Sequence, residues 1–177
     1  MFKCWKKGNV GIINALGTGV ADDKAVYSYV NKMIVYYLGE QPILNQVETF
    51  LCEDKVHRQH VIENISKLVV KPANASGGYG IMIGPKAPKK EREEVIKKIK
   101  KNPRDFVAQP LEILSTTPTI SENGIEPRHL DLRPFVLNGK STYVTTGGLT
   151  RVALRKGSTI VNSSQGGGSK DTMVVDT

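Results

Sequence analysis

At 177 residues the chain has room for one domain or two small lobes, and its apolar fraction of 39% is ordinary for a folded globular protein. The formal net charge is +8, but the run from Lys86 to Arg104 holds nine Lys/Arg against three Glu and so carries six of those eight charges. The excess is local and no aromatic residue interleaves with those lysines, which argues against a nucleic-acid surface and for the solvated face of a short helix with Val95, Ile96 and Ile99 turned inward.

The opening MFKCWKKGNVGIINALG sets basic residues before apolar ones, yet Gly8, Asn9, Gly11 and Asn14 interrupt the apolar stretch that a signal peptide needs. No transmembrane run follows. Cys4 and Cys52 lie far apart without CxxC spacing, and His57, His60 and His129 make no recognisable zinc set. A cytoplasmic protein with reduced thiols and no structural metal is expected.

The first helix signal follows GTGVADD. Asp22 or Asp23 can cap, and Ala25, Val26, Tyr29, Val30, Met33, Ile34, Tyr37 and Leu38 recur at helical spacing up to a stop at Gly39, which predicts one helix buried on one face. A second helix is predicted from Asp54 to Ser66, with Val56, Val61, Ile62 and Ile65 as its apolar side. KLVVKP reads as a short strand ended by Pro72, which cannot donate to a ladder, and GIMIG as its neighbour. FVAQPLEI, HLDLRPFVL, TYVTTGGLTRVAL and STIVNSS follow as strands rich in β-branched or aromatic residues, with turns at Asn138-Gly139 and Lys156-Gly157. Helices early and antiparallel strands late predict an α+β fold.

The turn ASGGYG between the two short strands is not a Walker loop, because GxxxxGK[ST] is absent, and not a dinucleotide fingerprint, because Ile83 stands where a third glycine belongs and no helix follows. Two readings remain. A plain hairpin with a surface lysine is one. The other is a flap: Gly77, Gly78 and Gly80 permit positive φ and close approach, so backbone N–H groups can face phosphate oxygens, with the Lys71 ammonium beside them. Arg133 in DLRPF, Arg151 in GGLTRVAL and Lys170 in NSSQGGGSKD place further cations on strands beside glycine-rich turns, which suits a polyphosphate or a carboxylate held in two-pronged fashion. Asp131 alternates with Arg133 and so is expected to orient it by an ion pair.

The ordered blocks NALGTGVADDKAVY, LVVKPANASGGYG, FVAQP, RHLDLRPFV, GGLTRVA and NSSQGGGSKDT resemble the carboxy-terminal part of the circularly permuted ATP-grasp family, glutathionylspermidine-synthase-like, from about Gly8 to Thr172. The resemblance implies two α+β lobes with antiparallel sheets around a nucleotide cleft, here a lobe over residues 1–110 and an incomplete second lobe over 111–177. It also implies ATP as cosubstrate with Mg²⁺, a carboxylate phosphorylated to an acyl phosphate, and an amine or thiol that displaces the phosphate. By the same resemblance Lys24 and Lys71 reach the nucleotide phosphates, and Gly77, Gly78 and Gly80 form the flap. Gln109 marks the linker whose backbone meets adenine, and Arg133 and Arg151 neutralise the transferring phosphoryl group. Asn162, with Gly166 to Gly168, lies near the acceptor.

The departures from that pattern matter equally. The family's acidic metal strand is not found here, since permutation places it upstream of the segment that starts near Gly8, and Met173 stands where a Trp is usual. The expectation is an ATP-grasp ligase-like domain that is incomplete alone and completed by a missing segment or a partner chain. A non-catalytic nucleotide-binding or interaction module is the alternative.

Overall fold

The computed structural model describes residues 1–14, 16–161 and 167–174. The chain divides into two compact units, Met1–Leu111 and Glu112–Thr177.

The first unit opens with a short exposed helix, α1 (Phe2–Lys6), and a 3₁₀ turn over Thr18–Asp22. The predicted single helix is two: α2 (Lys24–Tyr27) and α3 (Val30–Leu38). Asp23 caps α2 by accepting from the Ala25 N–H at 2.8 Å, and Gly39 ends α3 in the left-handed conformation with φ 67°. The expected buried face is a correction, because neither helix contains a buried residue, and Tyr36, Tyr37 and Leu38 are 81%, 76% and 65% exposed. Periodicity records that an apolar stripe exists; it does not say what covers it.

The unit's sheet is built from β1 (Phe50–Leu51), β2 (Leu68–Pro72), β3 (Met82–Ile83) and β4 (Phe106–Pro110), all antiparallel, in the order β1-β4-β2-β3. The last strand in sequence therefore sits inside the sheet. Helix α4 (Lys55–Glu63) is capped by Asp54, whose carboxylate accepts from the N–H groups of Val56 and His57, and α5 (Lys89–Lys101) is the basic helix of the charged run. Alternation along the strands sends Leu68, Val70 and Ala108 to one face. There they join Val61 and Ile65 of the α4 segment, Ile99 of α5, Cys52 and Met82 in the core, with Val95 and Ile96 packed against it. Burying each of Val61, Val70 and Ile99 contributes roughly 1.5–3 kcal/mol. Val56, expected on that apolar side, is 76% exposed. The opposite face of the same strands carries Lys71 and Gln109.

The second unit is a meander of β5 (Thr116–Ser121), β6 (Gly124–Asn138), β7 (Thr142–Val152) and β8 (Gly168–Lys170), each antiparallel to the next in sequence order. A register shift between Pro134 and Val136 interrupts the β6–β7 ladder. β5 has no counterpart among the strands that the sequence predicts, because its Thr-rich segment around Pro118 has no apolar alternation. Conversely, the strand expected at STIVNSS is not formed over Ser158–Val161: the Ser158 hydroxyl donates to the Ile160 carbonyl and accepts from the Ile160 N–H, a local turn that competes with ladder formation. The remainder of that stretch lies outside the described residues.

Candidate functional site

Lys71 and Gln109 share a face because β2 and β4 pair with Val69 opposite Gln109 and Lys71 opposite Val107, which makes Lys71 and Gln109 diagonal neighbours. The Lys71 ammonium donates to Gln109 Oε1 at 2.6 Å, and Gln109 Nε2 donates to Thr49 Oγ1 at 2.8 Å. Lys24 arrives from the start of α2. Its backbone N–H donates to the Ala73 carbonyl at 2.9 Å, and its ammonium donates to the Ala75 carbonyl, which ties it to the chain that leads from β2 into the glycine turn. Burial pushes the Lys71 ammonium below its ordinary pKa, and the charge of Lys24 acts in the same direction. Neither lysine forms an ion pair among the described residues.

The turn itself adopts the conformation that the glycines allow. Gly77, Gly78 and Gly80 have φ of 68°, 78° and 72°, and a Cβ on Gly80 would stand 2.9 Å from the Pro72 ring. Lys24, Lys71, Gln109 and the glycine turn are thus gathered within the first unit. Thr49 was not singled out in the sequence; it precedes β1 in a segment without periodicity, and only the β1–β4 pairing brings it beside Gln109.

In the second unit, Asp131 and Arg151 are directly opposed on β6 and β7. Arg151 Nε donates to Asp131 Oδ1 at 2.8 Å and its Nη2 donates to Oδ2, a two-pronged pair that raises the Arg151 pKa. The expected Asp131–Arg133 pair is therefore a correction. Arg133 is exposed and makes no ion pair among the described residues. Lys170 pairs across from Thr150 while Arg151 faces Ser169, so pleating turns Lys170 to the sheet face opposite Arg151. Asn162 and Gly166 lie outside the described residues.

The Lys170 face holds an open cavity of about 630 Å³, lined among others by Ser121, Arg128, Val152 and Lys170. Arg128 is nearly buried there, with Nη2 on Glu126 Oε2 at 2.6 Å and Nη1 on the Leu154 carbonyl; its buried Nε has no hydrogen-bond partner among the described residues. Among the described residues no group of three or more His, Cys, Asp or Glu is assembled to hold a metal ion, and no helix is long and apolar enough to cross a membrane.

The glycine turn flanked by two lysines, the strand arginines and the pair of antiparallel sheets are accompanied by a family match: Circularly permuted ATP-grasp type 2, over residues 1–153. The chain belongs to this circularly permuted ATP-grasp family. The mixed α+β architecture with two antiparallel four-stranded sheets is consistent with an ATP-grasp-type fold. The chain is 52% identical to an uncharacterized protein of Synechocystis sp. over 176 residues, 99% of this chain and 37% of that protein. It is 53% identical to an uncharacterized protein of Mycobacterium tuberculosis over 171 residues, 96% of this chain and 31% of that one. A protein of Frankia casuarinae named "Putative glutamate--cysteine ligase 2-2" is 52% identical over 165 residues, 93% of this chain and 19% of its own length. The chain spans about a third of the length of the first two of these relatives.

Proposed function

We propose that this chain binds the polyphosphate of ATP with Lys24, Lys71 and the Gly77–Gly78–Gly80 turn, as the nucleotide-holding part of a carboxylate–amine or carboxylate–thiol ligase that works through an acyl phosphate. The observation that carries this reading is that the charge of Lys24 acts on Lys71 while, among the described residues, the two ammonium groups contact neutral partners, a carbonyl and an amide. Two ammonium groups that contact no carboxylate among the described residues, beside a turn of positive-φ glycines, are stabilised by a multivalent anion, and the backbone N–H groups of such a turn add donors for its oxygens. Gln109, at the end of β4, would meet adenine through its backbone. Exposed Arg133, without an ion pair among the described residues, would serve the acyl phosphate, whereas Arg151 would act there only by sharing its fork with Asp131. Asn162 would serve near the acceptor. The relative named as a glutamate–cysteine ligase supports an amino-acid carboxylate and an amino-acid amine as the joined groups.

Phosphoryl transfer of this kind would draw on Mg²⁺ to neutralise the charge on the phosphates. The described residues do not fit that ion: they bring together no group of three or more His, Cys, Asp or Glu that could hold it, and the Asp131 carboxylate is occupied by Arg151. No metal-dependent step is therefore assigned to this chain. In the proposal the metal carboxylates come from another segment of a longer polypeptide or from a partner chain. A non-catalytic nucleotide-binding or interaction module is the second reading, and the capture of Asp131 by Arg151 favours it for the chain on its own.

Calorimetry with ADP and ATP tests the binding, and Lys71→Ala is expected to weaken it by about 1.5–3 kcal/mol through loss of a charge-assisted contact. Absence of heat at millimolar nucleotide, or equal affinity in the variant, would contradict the site. Phosphate release with Mg²⁺ and candidate carboxylic acids is expected to stay at background; robust release abolished by Asp131→Asn would make the chain an enzyme by itself.

A further inference from the structure

We infer that Thr49 is a positioning residue for Lys71, acting through the side-chain amide of Gln109. The inference rests on the reading of Lys71 as a phosphate contact. Three hydrogen bonds form a directional row from β2 across β4 to the segment before β1: Lys71 Nζ donates to Gln109 Oε1 at 2.6 Å, Gln109 Nε2 to Thr49 Oγ1 at 2.8 Å, and Thr49 Oγ1 to the Val47 carbonyl at 3.0 Å.

The direction follows from donor and acceptor chemistry. An ammonium has three donors and no acceptor, so the amide must turn its oxygen toward Lys71. Its NH₂ then points away and needs an acceptor. Thr49 provides one because its single hydroxyl proton is spent on Val47, leaving lone pairs for Gln109. With the amide reversed, the NH₂ would face the ammonium, donor against donor, and the Thr49 hydroxyl would have to abandon Val47 to donate to the amide oxygen. The hydroxyl at position 49 thereby selects one amide orientation, and that orientation holds the Lys71 ammonium in place. Half-burial of the row keeps water from substituting easily for any of its members.

Thr49→Val removes the hydroxyl with little change of shape, and Thr49→Ser keeps it. The readout that needs no nucleotide is the titration of Lys71 followed by NMR on protein with labelled lysine side chains. In Thr49→Val the Lys71 titration is expected to move to lower pH, since its charged form loses a fixed acceptor, and Thr49→Ser is expected to return it toward the parent value. ADP affinity is expected to fall about three- to tenfold in Thr49→Val and to recover in Thr49→Ser. If Thr49→Val does not fold, Thr49→Ala against Thr49→Ser supplies the same comparison. An unchanged Lys71 titration in the hydroxyl-less variant, or a Thr49→Ser protein no better than Thr49→Val, overturns the inference. Failure of the parent chain to bind ADP would instead remove the nucleotide reading and leave the Lys71 titration to decide on Thr49.

Discussion

Asp131 and Arg151 stand opposite each other on adjacent antiparallel strands, and the carboxylate takes both Nε and Nη2 of the guanidinium. Their side chains are 29% and 12% exposed, so Arg151 depends on this partner more than the carboxylate does. Asp131→Asn keeps the shape and one acceptor but leaves a largely buried cation without its counter-charge. A loss of about 1–3 kcal/mol in stability is expected, read from the denaturant midpoint. A midpoint equal to the parent's would mean that solvent already satisfies Arg151.

Asp23 links the cap of α2 to Arg104, whose Nη2 lies 2.6 Å from Asp23 Oδ2. That hydrogen bond, followed by the one from the Ala25 N–H, holds the Asp23 carboxyl below the ordinary aspartate range. A depressed folded-state pKa contributes stability that is present above the unfolded-state value and is lost as pH falls through the folded one. The Asp23 contribution is therefore expected to be intact above about pH 4 and to disappear below it. Replacing Asp23 by Asn should flatten that acid limb in a midpoint-against-pH series; an identical slope in both proteins would show that other carboxylates carry it.

Cys52 is fully buried, and burial pushes its thiol up to about 11, while Cys4 is exposed. The thiolate is the reactive form. One equivalent of a thiol reagent at pH 8 should therefore react with the native chain, at Cys4, and the second only after unfolding. Rapid modification of both would place Cys52 within reach of solvent.

Gly84 follows β3 at a point where a Cβ would lie 1.9 Å from the Ile65 carbonyl oxygen and 2.6 Å from that of Leu68. Both obstacles are backbone, so neither can swing aside. Gly84→Ala is expected to cost about 1–3 kcal/mol or more by forcing the chain after β3 away from the connection between α4 and β2. Thermal or denaturant unfolding checks this, and an unaltered midpoint would rule out the close approach.

The residues of the candidate site are partly legible by type because their placement is local: a lysine on a strand, a glycine turn beyond it and a glutamine near a strand end are all visible in one dimension. What escaped depends on pairing between distant strands. Alternation correctly put Asp131 and Arg133 on one face of β6, but it does not contain the register that sets Arg151 directly across from Asp131. Thr49 was invisible for the same reason, being 60 residues from Gln109. For α2 and α3 the limit was different. Their spacing reported helix and cap faithfully, and the break at Ser28 and Tyr29 and the exposure of the tyrosines depend on neighbours that periodicity does not name.

The interior position of β4 has a kinetic consequence. The second unit's meander joins only consecutive strands, and the β5–β6 and β6–β7 hairpins can close over short loops as soon as their strands exist. In the first unit β1 has no sheet neighbour until β4, more than fifty residues later, slides between it and β2. Closing that loop delays the contact, since non-local pairing must meet its chain entropy before any bond rewards it. The row from Thr49 through Gln109 to Lys71 crosses this last-made seam, so the candidate site assembles at the end of folding. Pulse-labelled hydrogen exchange should accordingly protect β6 and β7 before β1 and β4, and the reverse order would mean that the seam closes early.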